Sequence, residues 1–142
     1  MIATNDDLAR YIRRDYPKYK IEASVIKEID SYKKIDEAFN LYDTVVLPMR
    51  LNSDSRFLEG IEVKSRVTLF ANAGCALTCP SKICYPSISK ANKFKGSAFL
   101  CSQPLKSREM LGMVDFDLEA LAALGFRRFK LLRSRPGGIT GY

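Results

Sequence analysis

The chain contains no histidine. Without it, the Ser/His and Cys/His arrangements of nucleophilic hydrolases cannot be assembled from these residues, and mixed Cys/His metal sites are excluded. No cysteine pair has the tight CxxC spacing with which structural zinc knuckles bend the backbone around the metal. No apolar run approaches the roughly 20 residues needed to span a bilayer. A charged segment followed by an apolar one does not open the sequence, so a secretory leader is not expected. These absences predict a soluble, cytoplasmic protein that does not use a membrane as partner. In a reducing compartment its four cysteines read as metal ligands or reactive thiols rather than as disulfides.

Acidic residues are also missing where basic ones are dense. Residues 1–62 hold 10 basic and 12 acidic side chains, residues 63–142 hold 13 and 4, and no Asp or Glu lies between Val63 and Arg108. That acid-free segment contains Lys64, Lys82, Lys90, Lys93 and Lys95. Within a net charge of +7, the second half should favour an anion: a small phosphorylated or carboxylated molecule, an RNA backbone, or a negatively charged metal–thiolate centre. A solvated basic face is the plainer alternative.

What is present is a regular alternation of strand and helix signals. "TNDDLARYIRRDYP" predicts a helix capped by Thr4 or Asn5, with Leu8, Tyr11 and Ile12 on one face and Pro17 beyond its end. "YKIEASV" predicts a strand, and "IKEIDSYKKIDEAFNLY" helical spacing interrupted near Ser31. "DTVVLPM" and "SRVTLFAN" are continuous apolar strands of the kind covered on both faces, with a short helix capped by Ser53 or Asp54 between them. "DFDLEALAALGF" predicts a helix with Asp115 as cap, Leu118, Leu121 and Leu124 inward and Gly125 as its stop, followed by a strand in "FRRFKLL".

Strands beginning near residues 19, 43, 66 and 126 with helices between them predict an α/β fold: alternating βα units on a parallel sheet, resembling part of a TIM-like barrel. The expected organisation is one domain over residues 1–136, with a cysteine-rich segment at 72–101 and a loose tail at 137–142. Four βα units make half of an eight-stranded barrel. The sheet is therefore expected to be a small open one, or to be completed by a homodimer partner, another subunit or further sequence. A chain that starts on a helix, without the strand that should precede it, suggests a fragment. In parallel sheets ligands gather where the strands end. Here those residues are Ser24, the Pro48–Asn52 turn with Arg50, Asn72 through Cys75, and Arg133 to Arg135.

Cys75, Cys79, Cys84 and Cys101 are separated by three, four and sixteen residues. Four thiolates form the full ligand set of a [4Fe-4S] or [2Fe-2S] cluster and equally of a tetrahedral zinc site. The spacing favours the cluster, [4Fe-4S] first, with zinc as the alternative and four ordinary thiols as the plain reading. The radical S-adenosylmethionine pattern CxxxCxxC matches only in its first half. Asn72 and Arg50 would line the pocket beside the cluster, and Arg133 and Arg135 would hold an anionic group of the substrate.

The runs "LARYIRRDYPKYKIEASVIKEI", "YDTVVLPMRLNSD", "VTLFANAGCALTCPSKICY" and "GFRRFKLLRSRP" resemble the core of the U32 peptidase family. The matching positions are Asn72, Gly74, Cys75, Cys79, Pro80, Phe129, Lys130 and Arg133. The resemblance implies a TIM-barrel-like domain carrying an iron–sulfur cluster on four cysteines, with chemistry that includes hydroxylation of RNA bases or quinone precursors. The chain departs from that pattern in its length, its compressed cysteine spacing and its "FKLLR" ending. The leading expectation is thus an iron–sulfur-dependent enzyme or enzyme domain acting on an anionic substrate. The alternatives are an RNA-binding module using Tyr85, Phe94 or Phe99 beside its lysines, and a non-catalytic metal-binding or dimerising subunit.

Overall fold

The computed structural model describes residues 1–74, Leu77, Ile83, Ser87, Lys90, Leu100 and 114–132. The chain divides into two compact units, one of Met1–Ala71 with Phe116–Leu131 and the other of Asn72–Asp115 with Leu132–Tyr142. The first unit is an α/β fold around a five-stranded, all-parallel sheet.

Its strands are β1 (Ile2–Ala3), β2 (Glu22–Ala23), β3 (Thr44–Val46), β4 (Val67–Phe70) and, after the excursion through the second unit, β7 (Arg128–Lys130), in spatial order β1-β2-β3-β4-β7. The connecting helices are α1 (Asp6–Asp15), α2 (Tyr32–Phe39), α3 (Ser55–Glu59) and α4 (Leu118–Ala123). Each strand pairs with its neighbour in sequence, and right-handed crossovers in such an order put every helix on the same face. The core shows this. Ala9 and Ile12 of α1, Ile35 and Ala38 of α2, Leu58 of α3 and Leu121 of α4 join one apolar cluster with Ala3, Ala23, Val45, Leu47, Val67 and Leu69 of the sheet. Those sheet residues are fully buried. The sheet has β1 and β7 as its edges.

Local signals account for most helix starts. Asn5 Oδ1 accepts from Leu8 N at 2.8 Å, Ser31 Oγ from Lys34 N at 3.3 Å and Asp54 Oδ1 from Phe57 N at 3.0 Å. Each satisfies an orphan amide of the first turn. Three expectations are corrected. The strand missing before α1 is present as β1, too short to show a period. The cap of α4 is Asp117, which accepts from Ala120 N at 2.9 Å, while Asp115 lies in a strand. Leu118 is exposed on α4, as are Leu8 and Tyr11 on α1, where the buried stripe is Ala9 and Ile12. Gly125 ends α4 as expected, at φ +103°, a conformation open to glycine. That turn delivers Phe126 to the core, fully buried.

In the second unit, β5 (Asn72–Ala73) pairs antiparallel with β6 (Val114–Asp115). In the first, Phe116 N donates to Ala71 O at 3.0 Å, so the sheet's chain ends at the excursion are fastened together. No helix among the described residues is long and apolar enough to cross a membrane.

Candidate functional site

Successive strand residues face opposite ways, so the face turned away from the helices carries Glu22, Thr44, Val46, Thr68, Phe70, Arg128 and Lys130. Four of these form a polar cluster. Glu22 accepts from Lys130 Nζ at 2.7 Å, from Thr68 Oγ1 at 2.8 Å and from Thr44 Oγ1 at 3.3 Å. Its side chain is 15% exposed and that of Lys130 30%. Burial alone would raise the Glu22 carboxyl, but the hydrogen bonds from Lys130 and Thr68 outweigh it and hold the group below its ordinary value. Arg128 Nε donates to Thr68 Oγ1 at 3.3 Å. Its terminal nitrogens have no partner among the described residues. The result is a fixed carboxylate beside a cation with free donors, able to orient a polar or anionic group.

At the N-terminal edge of the strands a groove of about 560 Å³ is lined by residues that include Lys20, Glu22, Asp43, Thr44, Arg66 and Arg128. Arg66 serves the fold there. It donates to the carbonyls of Asp43 at 2.8 Å and Tyr42 at 2.6 Å, and lies 3.9 Å from the ring centre of Phe39. Asp43 accepts from Ile21 N at 2.8 Å and Arg13 at 2.9 Å. Burial opposes its ionised form, but those two bonds prevail and its carboxyl lies below the usual range.

The opposite edge is where the sequence places the ligand. Arg50 is there, but its guanidinium is divided between Glu28 at 2.6 Å and Asp30 at 2.7 Å. Glu28 adopts φ +48°, and this two-carboxylate clamp holds the left-handed turn. Arg50 therefore works as a loop clamp. Ser24 Oγ caps the next turn through Ile26 N at 3.4 Å. Asn52, in the same predicted turn, is 7% exposed and donates to Phe70 O at 2.6 Å. Its Oδ1 is buried without a hydrogen-bond partner among the described residues, which is costly and leaves room for a donor.

In the second unit, Asn72 gives both polar atoms to Leu132: Nδ2 donates to O at 3.0 Å and Oδ1 accepts from N at 2.7 Å. Its amide imitates a strand neighbour. Cys75, Cys79, Cys84, Cys101, Arg133 and Arg135 lie outside the described residues, as do Tyr85, Phe94 and Phe99. Among the described residues no group of three or more Cys, Asp or Glu is arranged to hold a metal ion.

The Glu22 cluster and the Asn52 acceptor are additions to the residues singled out from sequence. Glu22 had a usable signal, being a charge between Ile21 and Ala23, both fully buried. Nothing local marks its partner Lys130, 108 residues away. Comparison with protein-family models, with curated proteins and with solved structures finds no match to this chain.

Proposed function

We propose that the chain is an iron–sulfur-dependent enzyme or enzyme domain acting on an anionic substrate, of the kind implied by its resemblance to the U32 peptidase family. Cys75, Cys79, Cys84 and Cys101 are its cluster ligands. The observation that carries this is topological. The chain leaves the C-terminal end of β4, inside a parallel sheet, and reaches Cys75 five residues later. That edge is where singly wound parallel folds place their chemistry. The donor set fits the group, since four thiolates fill a [4Fe-4S] cluster and the acid-free surround from Val63 to Arg108 offsets its negative charge. A cluster held by these four cysteines would supply electron transfer.

The chain's own residues do the rest. β7 leads directly to Arg133 and Arg135, which take the anionic group of an RNA or a small molecule by bidentate contacts. Asn52 offers an acceptor to a substrate hydroxyl or amine. Arg50 holds its loop in the first unit, and Asn72 ties Leu132 in the second.

Anaerobic reconstitution with iron and sulfide tests the reading. A brown protein holding iron and sulfide in equal amounts is expected, and Cys101→Ser should abolish the colour. A colourless, iron-free product that binds zinc instead would move the site to its alternative. The surplus of basic residues after Val63 favours a second reading, an RNA-binding module, in which affinity falls steeply as salt rises.

A further inference from the structure

Three tyrosines stand exposed in a row where α1 ends. Tyr11 lies in the last turns of the helix, Tyr16 is its C-cap, and Tyr19 closes the turn after Pro17 by donating its N–H to Tyr16 O at 3.0 Å. Tyr16 N in turn donates to Ile12 O at 2.8 Å. The backbone under the row is thus fixed on both sides of the proline. Ring centres are 6.1 Å apart from Tyr11 to Tyr16 and 6.0 Å from Tyr16 to Tyr19, tilted at 67° and 52°. The three residues are 47%, 49% and 53% exposed. None of the three belongs to the apolar core.

Basic side chains outnumber acidic ones around them. "RYIRRDYPKYK", residues 10–20, holds five basic side chains and one acidic. Arg14 lies 5.6 Å from the centre of the Tyr11 ring and is paired with Asp15 through two hydrogen bonds, of 2.6 Å and 3.1 Å, at the exposed surface. Lys18 is exposed with no charged partner among the described residues, and Lys20 is 88% exposed, 3.5 Å from Asp43. Lys20 lines the same groove as Arg128. Exposed aromatic rings beside basic side chains suit a polyanion whose bases are unstacked, because every base offers a face to a ring and every phosphate a charge to a lysine. A duplex buries its base faces and would gain only the charge contacts.

We propose that Tyr11, Tyr16 and Tyr19, with Arg14, Lys18 and Lys20, form a binding surface for single-stranded nucleic acid. The proposal deepens the RNA-binding reading by naming where a strand lies, at the N-terminal edge of the sheet. It needs none of the cysteines. The rings are preorganised by the helix end and the proline turn, so little ordering is lost on binding.

Fluorescence anisotropy of the whole chain with a short labelled oligouridylate, and with duplex RNA of equal length, provides the test. The single strand should bind more tightly than the duplex. Tyr16→Ala with Tyr19→Ala should weaken it by about tenfold or more, while Tyr16→Phe with Tyr19→Phe stays within about twofold. Lys18→Gln with Lys20→Gln should lower the slope of log affinity against log salt by about 1.4. Melting curves show that each variant is folded, and the Phe and Gln pairs keep the test decisive if the Ala pair is not. Oligouridylate binding that ignores the tyrosine and lysine changes overturns this surface but leaves RNA binding by the basic second half standing. Absence of oligonucleotide binding overturns both. Tyrosine-dependent binding to anionic phospholipid vesicles in place of the oligonucleotide also overturns the proposal.

Discussion

The two faces of the sheet obey different rules. Toward the helices it shows Ala3, Ala23, Val45, Leu47, Val67 and Leu69, all fully buried and apolar. Toward the other side the same strands carry Glu22, Thr44, Thr68, Arg128 and Lys130 beside buried Val46 and Phe70. A face used only for packing would not hold an ionised pair, because removing each charge from water costs several kcal/mol and apolar residues of similar volume do as well or better. One face makes the fold; the other keeps polar groups in fixed places at some cost to it.

Substitutions can break this contrast. Leu69→Ala, on the helix face, should lower unfolding stability by about 2–5 kcal/mol, read from urea titration. Glu22→Ala should cost less, about 1–3 kcal/mol, since it strands a Lys130 that is still partly wetted. Replacing both partners, Glu22→Leu with Lys130→Met, should return most of that loss. If the double variant is no more stable than the single one, the polar face contributes to folding as its opposite does and the distinction fails. Gly125→Ala should cost about 1–2 kcal/mol through its positive φ, shifting the melting temperature without altering the polar face.

The smallest effect is in pH dependence. Glu22 is held below its ordinary value in the folded chain, so its contribution is complete above the unfolded value and disappears as pH falls through the folded one. Stability should therefore drop as pH falls below the ordinary glutamate value, and Glu22→Gln should flatten that slope. A remainder stays, because Asp43 and Asp6 are lowered as well. Asp6 is lowered chiefly by Lys27 and Tyr42, whose Nζ and hydroxyl donate to it at 2.6 Å and 2.7 Å. An unchanged slope in Glu22→Gln would mean that the helix-side carboxylates carry all of it.

The alternation of strands and helices is legible in the sequence because each element announces itself within ten residues or so. Asn5 and Asp54 cap as their side chains suggest, and the apolar runs at Val45–Leu47 and Val67–Phe70 are buried throughout. β1 escapes such a reading because two residues contain no period. Leu8 and Tyr11 read as sharing a face with Ile12, but apolar spacing on one helix does not say which face docks. Small Ala9 does, since it lets α1 approach the sheet. At the site, sequence locates the strand-end residues but not their partners. Arg50 answers carboxylates 22 and 20 positions away, and Glu22 answers a lysine on the last strand. Such pairings are decided by which strands become neighbours, and no local window contains that.

The bond from Phe116 to Ala71 makes the stretch between them a closed ring whose two ends meet beside the sheet. Every cysteine of the chain falls inside that ring. Because the cost of closing a loop rises only by about 0.6 kcal/mol for each doubling of its length, such a segment can be lengthened, shortened or exchanged in evolution with little penalty to the strands that carry it. The cysteine-containing segment and the sheet are therefore free to diverge at different speeds.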